Sequence, residues 1–254
     1  MESTVKTPVA LTTVPIVEAT FELRFAGKQK QLGDLLPGML FGEFNAEFPA
    51  LNRLPASEFP RALTSTEPAF AYQPLQSMDG DGKRILIGDR TVALSFMEPY
   101  PGWREFRAVI VRLISALNST GLVESVERFS LRYLNILEGG HPFDLKPLKL
   151  KIDLAGLPLR GPGLKMQAEI ERNGCIAVVQ LNTGATVTLN KPSGPISHRG
   201  LMLAVDTVMQ QNLSNFLSGS FELLDLVHQT EKEVFFSLLT PETLQFLGPK
   251  WEGE

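Results

Sequence analysis

Two stretches alternate between apolar and polar residues, and they constrain the fold more than anything else in the chain. In residues 15–25, PIVEATFELRF, one side carries Val17, Ala19, Phe21, Leu23 and Phe25; the other carries Glu18, Thr20, Glu22 and Arg24. In residues 125–138, SVERFSLRYLNILE, Phe129, Leu131 and Tyr133 oppose Arg128, Ser130 and Arg132. A strand sends successive side chains to opposite faces, so each stretch reads as a strand with one buried face. A sheet apolar on one face must be covered, and helices are the expected cover.

The intervening segments supply them. Trp103, Phe106, Ile110, Leu113 and Leu117 step by three and four and form one helical stripe. Pro101 is expected in its first turn and Gly121 at its close. Residues 31–48 show the same period but contain Pro37, so that helix is expected to begin or kink there. A long helix is expected over 219–239. A short one follows, with Thr240 as N-cap and Pro241 as first residue.

Further strands are expected at about 69–77, 83–88 and 91–97, joined by DGDG and GD turns, and then at 148–154. Asn173-Gly174 predicts a two-residue hairpin, because both central positions of its turn need positive φ. Strands are also expected at 185–189 and 201–209, with 190–200, NKPSGPISHRG, as a loop between them. The reading is an α+β protein: two fused halves, 1–140 and 141–254, with antiparallel sheet and long helices packed on one face. The break is expected near 139–147.

Bulk properties narrow the function classes. The 254 residues carry 24 basic and 28 acidic side chains, for a net charge of −4. A scattered, outnumbered basic set weighs against a nucleic-acid partner. The aromatics, Phe21, Phe25, Trp103, Phe106, Phe129 and Tyr133, fall at core positions and do not form a base-stacking platform. The single cysteine, Cys175, excludes an internal disulfide and is expected to be a buried thiol. No leader or membrane-spanning run is legible, so a cytoplasmic location with no membrane partner is expected.

Four stretches, PIVEATFELRF (15–25), PYPGWREF (99–106), RFSLRYLNIL (128–137) and LVHQTEKEVFFSLLTPETLQFLG (226–248), occur in the order found in a known group of proteins. Together they resemble a sporadically distributed family of uncharacterised bacterial proteins of similar length. The resemblance spans nearly the whole chain. It implies no activity, cofactor or catalytic residue. Patchy occurrence implies genes that move between genomes, as defence and toxin–antitoxin components do.

Candidate site residues come from two clusters. Arg128 and Arg132 share one face of their strand; either Arg132 pairs with Glu22 or Glu18 across the sheet or the arginines hold an anion, and structural pairing is favoured. Asp225, His228 and Glu231 lie three apart on the last long helix. One histidine and two carboxylates make an incomplete metal set, so hydrogen bonding between helices is favoured over a metal. DGDGK (79–83) lacks the acidic twelfth position of a calcium loop and reads as a turn. Ser193, His198 and Lys191 share a loop without the nucleophile-elbow pattern.

No cofactor and no metal is implied, and no catalytic residue is assigned. The expectation is a non-catalytic interaction or regulatory component whose protein partner is the product of a neighbouring gene, with a homo-oligomer also open. Its contact surfaces are expected at 139–147, 190–200 and the final helices. The alternative is an enzyme or small-ligand-binding protein with a cleft between the halves, using Arg128, Arg132, His228 and Glu231.

Overall fold

Alternation becomes strand pairing in the computed structural model of the chain, which describes residues 6–60, 70–138, 144–153, 155–156, 163–191, 194–219 and 221–253. The strands are β1 (Ala10–Leu11), β2 (Ile16–Gly27), β3 (Ala50–Arg53), β4 (Pro74–Gly80), β5 (Lys83–Gly88) and β6 (Thr91–Met97). They continue with β7 (Val123–Leu137), β8 (Lys165–Arg172), β9 (Cys175–Lys191), β10 (Gly194–Met209) and β11 (Pro249–Lys250). The helices are α1 (Leu32–Phe44), α2 (Trp103–Ser119), α3 (Glu222–Leu238) and α4 (Pro241–Phe246).

Nine strands form one sheet in the order β3-β4-β5-β6-β2-β7-β10-β9-β8, and β1 pairs with β11. The resolved pairings β3–β4, β4–β5, β5–β6 and β8–β9 are antiparallel. Lys28 N–H bonds Leu122 O at one end of β2, and Ile136 N–H bonds Pro15 O at the other, so β2 and β7 also run antiparallel. The α+β class with mostly antiparallel sheet follows directly from these pairings. Among the described residues, no helix is long and apolar enough to cross a membrane.

The chain divides into two compact units. One comprises Ala19–Leu131 and Val208–Asp225; the other Met1–Glu18, Arg132–Thr207 and Leu226–Glu254.

In the first unit, Phe21, Leu23 and Phe25 are fully buried on β2, as the alternation predicted. Phe129 stacks on Phe216 at 4.3 Å, and Phe106 of α2 meets Phe96 of β6 edge-on at 5.4 Å. Helix α1 does not wait for Pro37; it begins at Leu32 and carries the proline inside. Pro37 lacks the N–H that would reach Gly33 O, and Gln76 Nε2 donates to that carbonyl instead, at 2.8 Å. Gly33 N–H is taken by Asp89 Oδ1 at 2.9 Å. A Cβ at Gly33 would lie 2.9 Å from Leu75 Cδ1, so a side chain there would have to displace that leucine.

Several expectations give way to the structure. Pro101 lies ahead of α2, which takes Gly102 as N-cap, and Trp103 is half-buried and not a core residue. The strand expected at 69–77 starts at Pro74. The loop expected at 190–200 is mostly strand: β9 reaches Lys191 and β10 starts at Gly194. Ser193 lies outside the described residues, as does most of 139–147.

In the second unit, the strand expected at 148–154 is absent from the described residues. Lys149 N–H bonds Leu238 O at 2.7 Å and Thr240 N–H bonds Pro147 O at 3.0 Å. The start of the segment therefore meets the junction between α3 and α4, with a single bridge from Leu148 to Leu239. The hairpin β8–β9 closes at Asn173 (φ 52°) and Gly174 (φ 71°), as its sequence predicted. Val234, Phe235 and Leu239 join Ala177, Val179, Leu203 and Val205 in one buried cluster. Thr240 Oγ1 accepts the Thr243 N–H, the expected cap of α4.

Candidate functional site

The polar side of β2 and β7 in the first unit is an ion-pair network. Arg128 Nη2 donates to Glu22 Oε1 at 2.8 Å, and Arg24 Nε reaches the same oxygen at 2.6 Å. Tyr72 donates its hydroxyl to Glu127 Oε2 at 2.6 Å, and Arg90 pairs with the other oxygen of Glu127. The guanidinium of Arg24 lies 4.5 Å and that of Arg90 5.0 Å from the Tyr72 ring centre, within cation–π range. Burial, followed by its hydrogen bond to Glu127, pushes the Tyr72 phenol above its ordinary pKa. Three guanidiniums and two carboxylates thus share one patch, and Arg128 is held by an acid on the neighbouring strand.

Asp225 also proves to be engaged between helices. Arg107 of α2 grips it with both nitrogens, Nε to Oδ1 and Nη2 to Oδ2, each at 2.8 Å, and Trp103 Nε1 lies 3.3 Å from Oδ1. This pair raises the Arg107 pKa.

Arg132, His228 and Glu231 fall in the second unit, and Arg128 in the first. Arg132 is half-buried and has no hydrogen bond or ion pair among the described residues. His228 Nδ1 lies 3.2 Å from the Tyr133 hydroxyl, and the rings are 5.9 Å apart. Glu231 is only 5 % exposed and has no hydrogen bond to a described residue. Burial pushes its carboxyl up to about 8, opposed by the charge of Lys232. Lys232 is shifted down, again by burial.

The next residue behaves differently. Glu233 receives Arg172 Nε at 2.8 Å and Gln229 Nε2 at 3.2 Å. Burial would raise its pKa, but these hydrogen bonds outweigh burial and hold it below its ordinary value. Asn173 Nδ2 adds a bond to Thr230 Oγ1 at 3.1 Å, which ties the hairpin turn to α3. Cys175 is 2 % exposed, and burial pushes its thiol up, so it is a packed side chain and a poor nucleophile.

Sequence reasoning did not single out Tyr133 as the partner of His228, or the Tyr72, Arg90 and Glu127 group. Tyr72 and Arg90 lie far from Glu127 in the chain, so no spacing rule could have joined them. Glu231 did leave a signal. It sits on the stripe Leu224, Val227, Glu231 and Val234, where a buried residue is due. Among the described residues, no group of three His, Cys, Asp or Glu side chains is placed to hold a metal. No protein-family model matches the sequence, and no curated protein matches it.

Proposed function

We propose that the chain is a non-catalytic protein-interaction or regulatory component that works in the cytoplasm. Its partner would be the product of a neighbouring gene in a mobile defence or toxin–antitoxin type locus. The locus rests on the resemblance to the sporadically distributed bacterial family. The interaction rests on one observation, the outer face of α1. Leu32, Leu36, Leu40 and Phe44 bury the inner face of that helix. Its outer face would ordinarily be polar, yet it offers Leu35 at 46 % and Met39 at 50 % exposure, one turn apart. Gly38 and Gly42 lie beside them, with open space where a Cβ would stand. A helix apolar on both sides is suited to being covered on both, and the two glycines let a partner's backbone approach closely. The β7 arginine supports the same reading, since Glu22 ties it within the sheet, on an oxygen shared with Arg24.

The test is co-expression with each adjacent gene product, followed by purification on one tag. A complex of fixed stoichiometry is expected, lost on Leu35→Glu/Met39→Glu while the circular dichroism spectrum is kept. A complex indifferent to that double substitution, or none with any neighbour, overturns the proposal. The alternative, an enzyme or small-ligand-binding protein, is favoured by one observation: Glu231 is buried beside Lys232 and one helical turn from His228, with no hydrogen bond to a described residue.

A further inference from the structure

Strand β8 ends the sheet order, and among the described residues nothing pairs with its outer side. It is eight residues long, KMQAEIER, and all but Met166 and Arg172 are exposed, with Ile170 at 37 %. A long edge with free N–H and C=O groups is a template for another strand. Charged residues on an edge usually repel such a strand, and Lys165, Glu169 and Glu171 would do so to most comers.

The backbone phase restricts the partner. Thr183 N–H donates to Leu164 O at 3.0 Å, so Leu164 faces β9. Bonding direction alternates along an antiparallel strand, so Met166, Ala168, Ile170 and Arg172 also face β9. Lys165, Gln167, Glu169 and Glu171 therefore turn their backbone groups outward. A second strand must engage these four.

A second copy of β8 does so in antiparallel register about Ala168. Lys165 then faces Glu171 of the other copy, Gln167 faces Glu169, Met166 faces Ile170, and Ala168 meets itself on the axis. Every charged outward residue finds an opposite charge or an amide across the pair, and no like charges are opposed. Met166 already packs against the buried cluster beneath α3, so Met166 and Ile170 would extend that apolar face across the junction. Shifting the register by one residue points the outward amides away from each other. Shifting it by two toward the hairpin sets Glu169 against Glu169.

We propose that β8 is a self-association edge through which two copies of this chain pair about a two-fold axis at Ala168. The partner is a second copy because the charge pattern of the strand is complementary to itself, as a two-fold contact requires. The contact is independent of the α1 face, which belongs to the other compact unit. Edge pairing alone buries less than the roughly 1,000 Å² of a stable interface, so the association is weak, micromolar or looser.

The experiment is sedimentation of the full chain over a wide concentration range, with cysteine cross-linking. Mass is expected to rise from monomer toward dimer with concentration. Glu171→Lys sets Lys165 against a lysine at both symmetric positions and should weaken the dimer about tenfold. Lys165→Glu/Glu171→Lys should restore it. Ala168→Cys should form an inter-chain disulfide on mild oxidation, because facing residues of a non-hydrogen-bonded pair lie about 4.5 Å apart. Lys165→Cys alone should not cross-link, but should do so when mixed with Glu171→Cys. The buried Cys175 leaves these readouts clean. A chain monomeric at every concentration overturns the proposal. So does a dimer that ignores the charge swap, or one in which Lys165→Cys cross-links to itself.

Discussion

Glu231 should make this protein less stable as pH rises through neutrality. Its carboxyl titrates at about 8 in the fold against an ordinary 4.5, because burial disfavours the charged form. The folded chain therefore holds a proton that the unfolded chain releases. The stability tied to that proton is complete below the unfolded pKa and is lost as pH rises toward the folded one. Each unit of pKa difference is worth about 1.4 kcal/mol, so roughly 3 kcal/mol is gone by neutral pH and about 5 once the group is fully ionised. Lys232 acts with the opposite sign: its depressed pKa restores stability as pH climbs toward the ordinary lysine value. Other groups titrate in the same range, so the informative quantity is the difference between the wild type and Glu231→Gln. Urea denaturation at several pH values from acid to mildly alkaline measures it. Glu231→Gln should flatten the slope and raise stability near pH 7 by about 2–3 kcal/mol, less whatever the unmatched amide costs. Glu231→Leu, which continues the apolar stripe of α3, should flatten it equally. Parallel pH profiles for wild type and both variants would refute the reasoning.

Two further predictions follow from named hydrogen bonds. Gln76→Ala strands the Gly33 carbonyl that Pro37 leaves open, and should cost about 1 kcal/mol in denaturant titration. In a Pro37→Ala background, where residue 37 regains its N–H, the same substitution should cost almost nothing; equal losses in both backgrounds would refute the pairing. Arg172→Met should destabilise by about 2 kcal/mol, below the figure for a fully buried pair because Arg172 remains partly wet. The depressed Glu233 pKa supplies stability that is present above its ordinary value and lost as pH falls. In Arg172→Met that acid-side loss should therefore shrink, and an unchanged acid transition counts against the assignment.

The parts of this protein that the sequence determined by itself are those whose physics is local. Period-two burial on β2, the apolar stripe of α2, the Asn173-Gly174 turn and the Thr240-Pro241 cap each depend on residues a few positions apart. That an arginine of β7 would pair with an acid of β2 was legible, but the expected arginine was Arg132; Glu22 instead takes Arg128, because the register of the two strands is set by the tertiary fold. Pro37 misled because its missing N–H is compensated by Gln76, far along the chain on β4. Residues 148–154 look like a strand, but a strand needs an unoccupied neighbour. Leu148 and Lys149, at the start of the segment, are instead taken by the junction between α3 and α4. The turn-rich composition of 190–200 points to a loop, yet β9 and β10 extend into it, because strand pairing outweighs local preference once a partner is aligned. The place of Glu231 on the apolar stripe of α3 was legible, but only the packing of that helix withdraws it from water and moves its proton affinity. Local chemistry chose the elements, and tertiary contact decided which polar groups would be matched, which would be buried alone, and which edge would be left open.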